Sequence, residues 1–308
     1  MKGNIPVIVI QEETLPKAYE KALVALYHNG IKIKTQYDKK GVPLSLDVTA
    51  NITILDPLKQ PMIHKAMPGG IDDLREYCME LEGYKDHWVK NMNDPDDTRW
   101  PYTYYSRFSD WGTWFEKRHF LNEDKNRLKI NYKEKPGNGI NQIKIMIDKL
   151  VKEPYSRQAQ MITWMPFMDN DISDPPCIQS VWYRLIEYEN IFYLNCNIRI
   201  RSNDAWGASF MNMFGFTMFN LNIVNKLDAR MNKSVFLGRL NWQADSYHLY
   251  GKDIKDFEKR FYHRSLITPF SDRVYDMNDP KIQSIWVESK QKVLNKIKKY
   301  DEEHKNGN

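Results

Sequence analysis

Apolar side chains along this chain follow two periods, and the stricter one lies at 44–54. There Leu44, Leu46, Val48, Ala50, Ile52 and Ile54 alternate with Ser45, Asp47, Thr49, Asn51 and Thr53. A period of two puts one set on each face of an extended chain, so the segment predicts a half-buried strand that stops at Asp56-Pro57. The same alternation predicts paired strands over 181–187 and 191–201, turning at Tyr188-Glu189-Asn190. In the second of these, Phe192, Leu194, Cys196, Ile198 and Ile200 share one face. Tyr193, Asn195, Asn197, Arg199 and Arg201 take the other. Two arginines and two asparagines cannot be buried unpaired, so that face is wet or lines a polar site. Shorter strands are predicted at 6–10, 158–165 and 234–243, the last leading into Ser246-Tyr247-His248-Leu249-Tyr250.

Helical spacing marks other segments. Ala18, Ala22, Leu23 and Leu26 predict a helix over 15–28, stopped by Asn29-Gly30. Gly69-Gly70 opens a helix predicted over 71–89, and Ile143, Ile145, Met146, Ile147 and Leu150 predict one over 140–152. The Met- and Phe-rich stretch 207–225 reads as a core helix, and two more are expected at 253–262 and 280–300. Residues 38–41, 91–97 and 133–139 carry turn and loop chemistry, and the aromatic segment 100–114 fits neither period. No internal repeat and no break in composition divides the chain. The expectation is one α+β domain over 1–308, with a C-terminal helical extension from about 253 to 308.

Composition narrows the class. With 42% hydrophobic and 13% aromatic residues in 308, the chain can bury a core and is not disordered. No apolar run approaches the ~18 residues of a membrane span. Cys78, Cys177 and Cys196 show no pairing or metal-ligand spacing, which suits a reducing compartment and a cytoplasmic location without a metal. The net charge of +5 is interspersed with acids. Its richest basic stretch, Lys290 to Lys305, reads as a solvated helix face rather than a nucleic-acid arm, and the modest positive balance also suits an anionic small substrate.

The candidate chemistry gathers between Ser173 and Asn212. Cys177 follows Pro175-Pro176 in a turn, and two readings stay open for it: a structural thiol, as for most lone cysteines, or a nucleophile whose pKa is lowered by basic residues brought near in the fold. Cys78 and Cys196 lie on apolar faces, where free cysteine packs as a small hydrophobe. Arg157 and Arg201-Ser202 offer the planar fork and hydroxyl that match a phosphate, although an isolated arginine is more often a surface ion-pair partner. Glu76, inside a helix beside Leu74 and Tyr77, could move protons through water if it is buried near a base. His248 and Tyr250, two apart on a strand, project to one face.

Taken in order, these pieces resemble the thymidylate synthase superfamily, which includes the pyrimidine-nucleotide hydroxymethylases. The matching elements run from Asp38 to about Tyr250. Pro175-Pro176-Cys177 is similar to the family's nucleophile turn, and Arg201-Ser202-Asn203-Asp204 followed by Asn212 to its Arg-Ser-x-Asp…Asn signature. His248-Leu249-Tyr250 resembles the His-x-Tyr that holds the sugar hydroxyl. Ser156-Arg157 resembles the start of Ser-Arg-Arg, whose arginine reaches the phosphate in the partner subunit. Asp38-Lys39-Lys40-Gly41 resembles the phosphate loop with Lys39 at the arginine's place, and Arg75-Glu76, seven residues before Gly83, the helix of the active-site glutamate.

The resemblance implies a mixed sheet with flanking helices and a sheet-to-sheet homodimer. It also implies 5,10-methylenetetrahydrofolate as co-substrate, bordered by Asp204, Trp206 and Ala208. Cys177, Glu76 and Asp204 would be catalytic, and Lys39, Arg157, Arg201, Ser202, Asn212, His248 and Tyr250 would bind substrate. Asn212 implies a uracil base and Ser202 a deoxyribose, hence dUMP. Departures from the synthase pattern touch water and folate: Ile178 after the cysteine, Gln158 after Arg157, Ala208-Ser209 before Phe210, and a charged rather than apolar tail. They imply 5-hydroxymethyl-dUMP as product. Synthesis of dTMP, hydroxymethylation of dCMP or CMP, and a silent nucleotide- or RNA-binding relative remain the alternatives.

Overall fold

A computed structural model of the protein describes residues 3–38, 40–89, 99–112, 139–170 and 172–305. The chain opens with strand β1 (Val7–Glu12), helix α1 (Leu15–Asn29), the short β2 (Ile31–Ile33) and the long β3 (Ser45–Ile54). A two-residue strand β4 (Ile63–His64) precedes α2 (Ile71–Leu81). Here the sequence expectation is too long, because the helix stops eight residues early. Gly83 takes φ +90°, a left-handed conformation that favours glycine, and a 3₁₀ turn at Asp86–Trp88 follows.

The aromatic segment becomes α3 (Tyr104–Ser109), whose N-terminus is closed by reciprocal Thr103 and Ser106 hydrogen bonds. Then come α4 (Gln142–Lys152), β5 (Ala159–Ile162) and the single turn α5 (Pro166–Asp169). The hairpin β6 (Ile178–Tyr188) and β7 (Ile191–Asp204) turns through Glu189 and Asn190, both at positive φ. Helix α6 (Ser209–Asp228) leads to β8 (Val235–Leu249), one unbroken strand of 15 residues. Helical turns α7 (Ile254–Phe257) and α8 (His263–Ile267), strand β9 (Val274–Tyr275) and helix α9 (Pro280–Lys305) complete it.

The strands form one mixed sheet in the order β1-β3-β8-β7-β6-β5, with β2 beside β3, and β4 pairs with β9 separately. Pairs β1–β3 and β7–β8 are parallel and the rest antiparallel, so the expected α+β class with a mixed sheet is what forms. Helices α1, α4 and α6 pack on one face, burying Val48, Ile52, Ile198, Ile200, Trp242 and their neighbours. The predicted alternation in β7 holds residue by residue: Phe192 to Ile200 are buried at every second position. The opposite face is left uncovered by the described residues. Its cross-strand row Ile186–Tyr193–Phe236 is partly exposed, as is Val9 at the edge.

Candidate active site

Cys177 sits in the turn that immediately precedes β6, half-buried, and its carbonyl accepts the Arg201 N–H of β7 at 2.8 Å. The Arg201 guanidinium then reaches back over the same turn. It donates to the carbonyls of Pro175 (2.7 Å) and Pro176 (3.1 Å) and lies 5.8 Å from the Trp164 ring centre. The Pro-Pro turn is thus held in place by the cation nearest its thiol. Burial pushes the Cys177 thiol up, Arg201 pulls it down, and Asp174 raises it again. Among the described residues, the Tyr104 hydroxyl joins this turn by accepting the Ile178 N–H at 3.3 Å. Burial holds that phenol above its ordinary range, reinforced by the neighbouring thiol.

At the far end of β7, Asp204 closes a tight turn. Its Oδ1 accepts the N–H groups of Trp206 (3.1 Å) and Gly207 (2.9 Å), and burial raises its pKa against those bonds. Gly207 is required by close approach, since a Cβ there would lie 3.1 Å from the Asp204 Cγ. Ala208 leads into α6, and Asn212 follows one turn on, its N–H bonded to the Ala208 carbonyl at 3.0 Å and its side chain half-exposed. Trp206 is buried: its indole donates to Asp256 at 3.1 Å and its ring meets Phe257 and Phe261. The Trp206 ring therefore packs into the core, and what remains for a ligand there is backbone.

His248 lies beside Asp204 in register on β8. Its Nδ1 meets the Ser246 hydroxyl at 3.2 Å, and that hydroxyl contacts both Asp47 oxygens at 3.0 Å. Its Nε2 is buried and unpartnered among the described residues, an orphan that suits a ligand hydroxyl. Burial lowers the His248 pKa and raises that of Asp47. Tyr250 packs edge-on to His248 at 4.7 Å between ring centres. Burial, with Asp204, Tyr37, Cys177 and Asp174 nearby, pushes its phenol up to about 12. Tyr250 also lines a cavity of about 210 Å³ with Tyr37, Asp38 and Lys252, at the loop expected to bind phosphate. Lys39 itself lies outside the described residues. Ser202 pairs in register with Ser246, half-exposed.

Two expected residues stand apart. Arg157 is exposed at the bare face of the sheet, where its carbonyl accepts the Trp182 indole N–H at 2.9 Å. Glu76 is partly exposed and held by two lysines. Lys85 bonds its Oε1 at 2.5 Å, and Lys296 of α9 reaches both oxygens at 2.7 and 2.9 Å. These ammonium groups outweigh burial and lower its pKa.

Scaffold and sequence agree on a class, the folate-dependent one-carbon transferases. The thymidylate synthase family model matches residues 71–303, and the chain belongs to that family, whose members use methylenetetrahydrofolate and bind dUMP-like nucleotides. A relative in Methanosarcina barkeri, named "Putative thymidylate synthase", is 21% identical over 245 residues, covering 80% of this chain and 90% of its own. The thymidylate synthase of Wigglesworthia glossinidia is 26% identical over 154 residues, 50% of this chain and 54% of its own. Among solved structures, thermostable thymidylate synthase A from Bacillus subtilis superposes with a TM-score of 0.53 at 18% identity, covering 80% of this chain and 83% of its own. No helix among the described residues is long and apolar enough to cross a membrane.

Proposed function

We propose that the chain transfers the one-carbon unit of 5,10-methylenetetrahydrofolate to C5 of dUMP and releases 5-hydroxymethyl-dUMP. The observation that supports this reading is that the C-terminal helix α9 meets the helix expected to carry the active-site glutamate through charge, with the exposed Lys296 bonding both Glu76 oxygens. The folate supplies carbon at the oxidation level of formaldehyde. Cys177 adds to C6 and makes C5 nucleophilic, with Tyr104 and Arg201 fixing its turn. The Asn212 amide reads O4 and N3 of uracil. The orphan Nε2 of His248, with the Tyr250 phenol, holds a sugar hydroxyl. Arg201, Ser202 and Lys39 take the phosphate, Asp204 and Ala208 border the pterin, and Trp206 contributes through its backbone.

The proposal includes a homodimer formed through the bare face of the sheet, built from one domain per chain. Val9, Ile186 and Phe236 are 70%, 45% and 52% exposed there, and Arg157 stands beside Trp182 on the same face, within reach of a partner's phosphate site. A second reading, dTMP as product, is favoured by the names of the relatives. Mass spectrometry of products from dUMP, dCMP, UMP and CMP, each with methylenetetrahydrofolate, separates the two. Hydroxymethyl on dUMP is expected, and methyl as the sole gain would refute it. Failure to release tritium from C5-labelled dUMP would leave a silent nucleotide- or RNA-binding relative.

A further inference from the structure

Lys85 is 3% exposed, deeper than a solvated lysine ever needs to be. It stands just beyond α2, at the entry to the 3₁₀ turn, with its ammonium 5.2 Å from the Trp88 ring centre and 5.1 Å from that of Trp100. Two carboxylates meet it: Glu76 at 2.5 Å and Glu80, one helical turn further on, at 3.5 Å. A lysine confined by two indoles and two acids is costly to bury unless the charges compensate, and here they do. We propose that Lys85 is a positioning residue that binds Glu76 and Glu80 into one proton-sharing pair for the transfer reaction.

The two acids are set unequally. Lys85 and Lys296 hold Glu76 down, whereas burial lifts Glu80, with the charges of Glu76 and Asp86 adding to the lift. Asp86 is itself pushed up to about 6 by burial and accepts from the Thr103 hydroxyl at 2.6 Å. On the inner side, the Tyr77 hydroxyl is buried without a partner among the described residues; burial pushes its pKa up, and the neighbouring Tyr104 and Glu80 add to the rise. Tyr104 in turn meets the Cys177 turn. Tyr77, which responds to Glu80, and Tyr104, which bonds the Cys177 turn, are thus the two phenols that relate the pair to the thiol. This role rests on the hydroxymethyl-transfer reading. In that reading, water forms a bond to the methylene carried on C5 and gives up one proton to the pair. The methylene π electrons restore the C5–C6 double bond, and the C6–S bond breaks to return thiolate to Cys177.

The test compares Lys85→Met, which fills the cage without charge, with Lys85→Arg and Glu80→Gln. In Lys85→Met the acid limb of kcat for tritium release from C5-labelled dUMP should move up by about one pH unit, because both carboxylates lose their cation. The KM for dUMP should change less than about twofold, and Lys85→Arg should return the limb toward wild type. Carboxyl ¹³C titration of the unliganded protein, assigned with Glu76→Gln and Glu80→Gln, should show the Glu76 pKa rising in Lys85→Met. An unmoved limb and an unmoved titration in a folded Lys85→Met protein overturn the proposal. Should that variant fail to fold, Glu80→Gln decides: a kcat and limb equal to wild type overturn it equally. Wild-type protein that releases no tritium refutes the transfer reading itself, and with it the pair's part in the reaction, whatever the titration shows.

Discussion

Arg107 and Asp169 form an ion pair 2% and 1% exposed, which ties α3 to the turn α5. The Arg107 guanidinium donates to Asp169 at 2.8 and 3.2 Å and to the Thr163 carbonyl at 3.2 Å, beneath the Tyr102 ring at 5.1 Å. Asp169 also accepts the Met165 N–H at 2.6 Å. In Arg107→Met the volume is nearly kept, but Asp169 is left as a buried charge with one backbone donor. Breaking such a pair from one side costs about 3–5 kcal/mol. At about 2 °C per kcal/mol for a chain of this size, the melting temperature should fall by about 6–10 °C. Removing both charges in Arg107→Met/Asp169→Leu should recover most of that loss, because no orphan charge remains. Calorimetry on the two single variants and the double variant measures the coupling directly. Because α3 also carries Tyr104 to the Cys177 turn, tritium release by Arg107→Met should drop about tenfold at temperatures where it is folded. Additive effects, or a melting temperature within about 2 °C of wild type for Arg107→Met, would refute the reasoning.

Three further outcomes are expected. His248 has a folded pKa depressed below its ordinary 6.5, so the unfolded chain binds its proton first and stability is lost as pH falls below about 6.5. Urea midpoints for His248→Gln should lack that component of the fall, and an unchanged pH profile would exclude His248 as its source. Gly207→Ala should displace the Asp204 carboxylate, cutting kcat by about tenfold or more at a stability cost of about 1–3 kcal/mol, read from kinetics and denaturant midpoints together. Asn212→Asp should move preference from dUMP toward dCMP, and unchanged discrimination in competition assays would reject Asn212 as the reader of the base.

Much of the scaffold was legible because burial on one face imposes a period. The alternation in β7 named its buried set correctly, and the helical spacing of α1 placed both its ends within a residue. Where only local signals decide, reading failed. The apolar spacing of α2 ran past the glycine at Gly83, and the two-residue pair of β4 and β9 is too short to carry any period. Strand β8 was read short because its later half mixes polar and apolar residues that pair across both β3 and β7. At the candidate site, Cys177, Arg201, Asp204 and His248 were singled out by their neighbours in sequence. Lys85 was not, since nothing in a lone lysine after a helix tells how deep the fold will set it.

Strand β8 lies between β3 and β7 and, among the described residues, is the sole hydrogen-bonded link between the sheet's two halves. Its residues 235–249 arrive late in synthesis, whereas β1 and β3 are made within the first 54. The early strands therefore have no central neighbour while most of the chain is still on the ribosome. Pairing β3 with β8 closes a loop of almost two hundred residues, a contact of high order that slows folding. Assembly of the surroundings of Cys177 is thus a late event, completed only after the strand carrying His248 has been released and inserted.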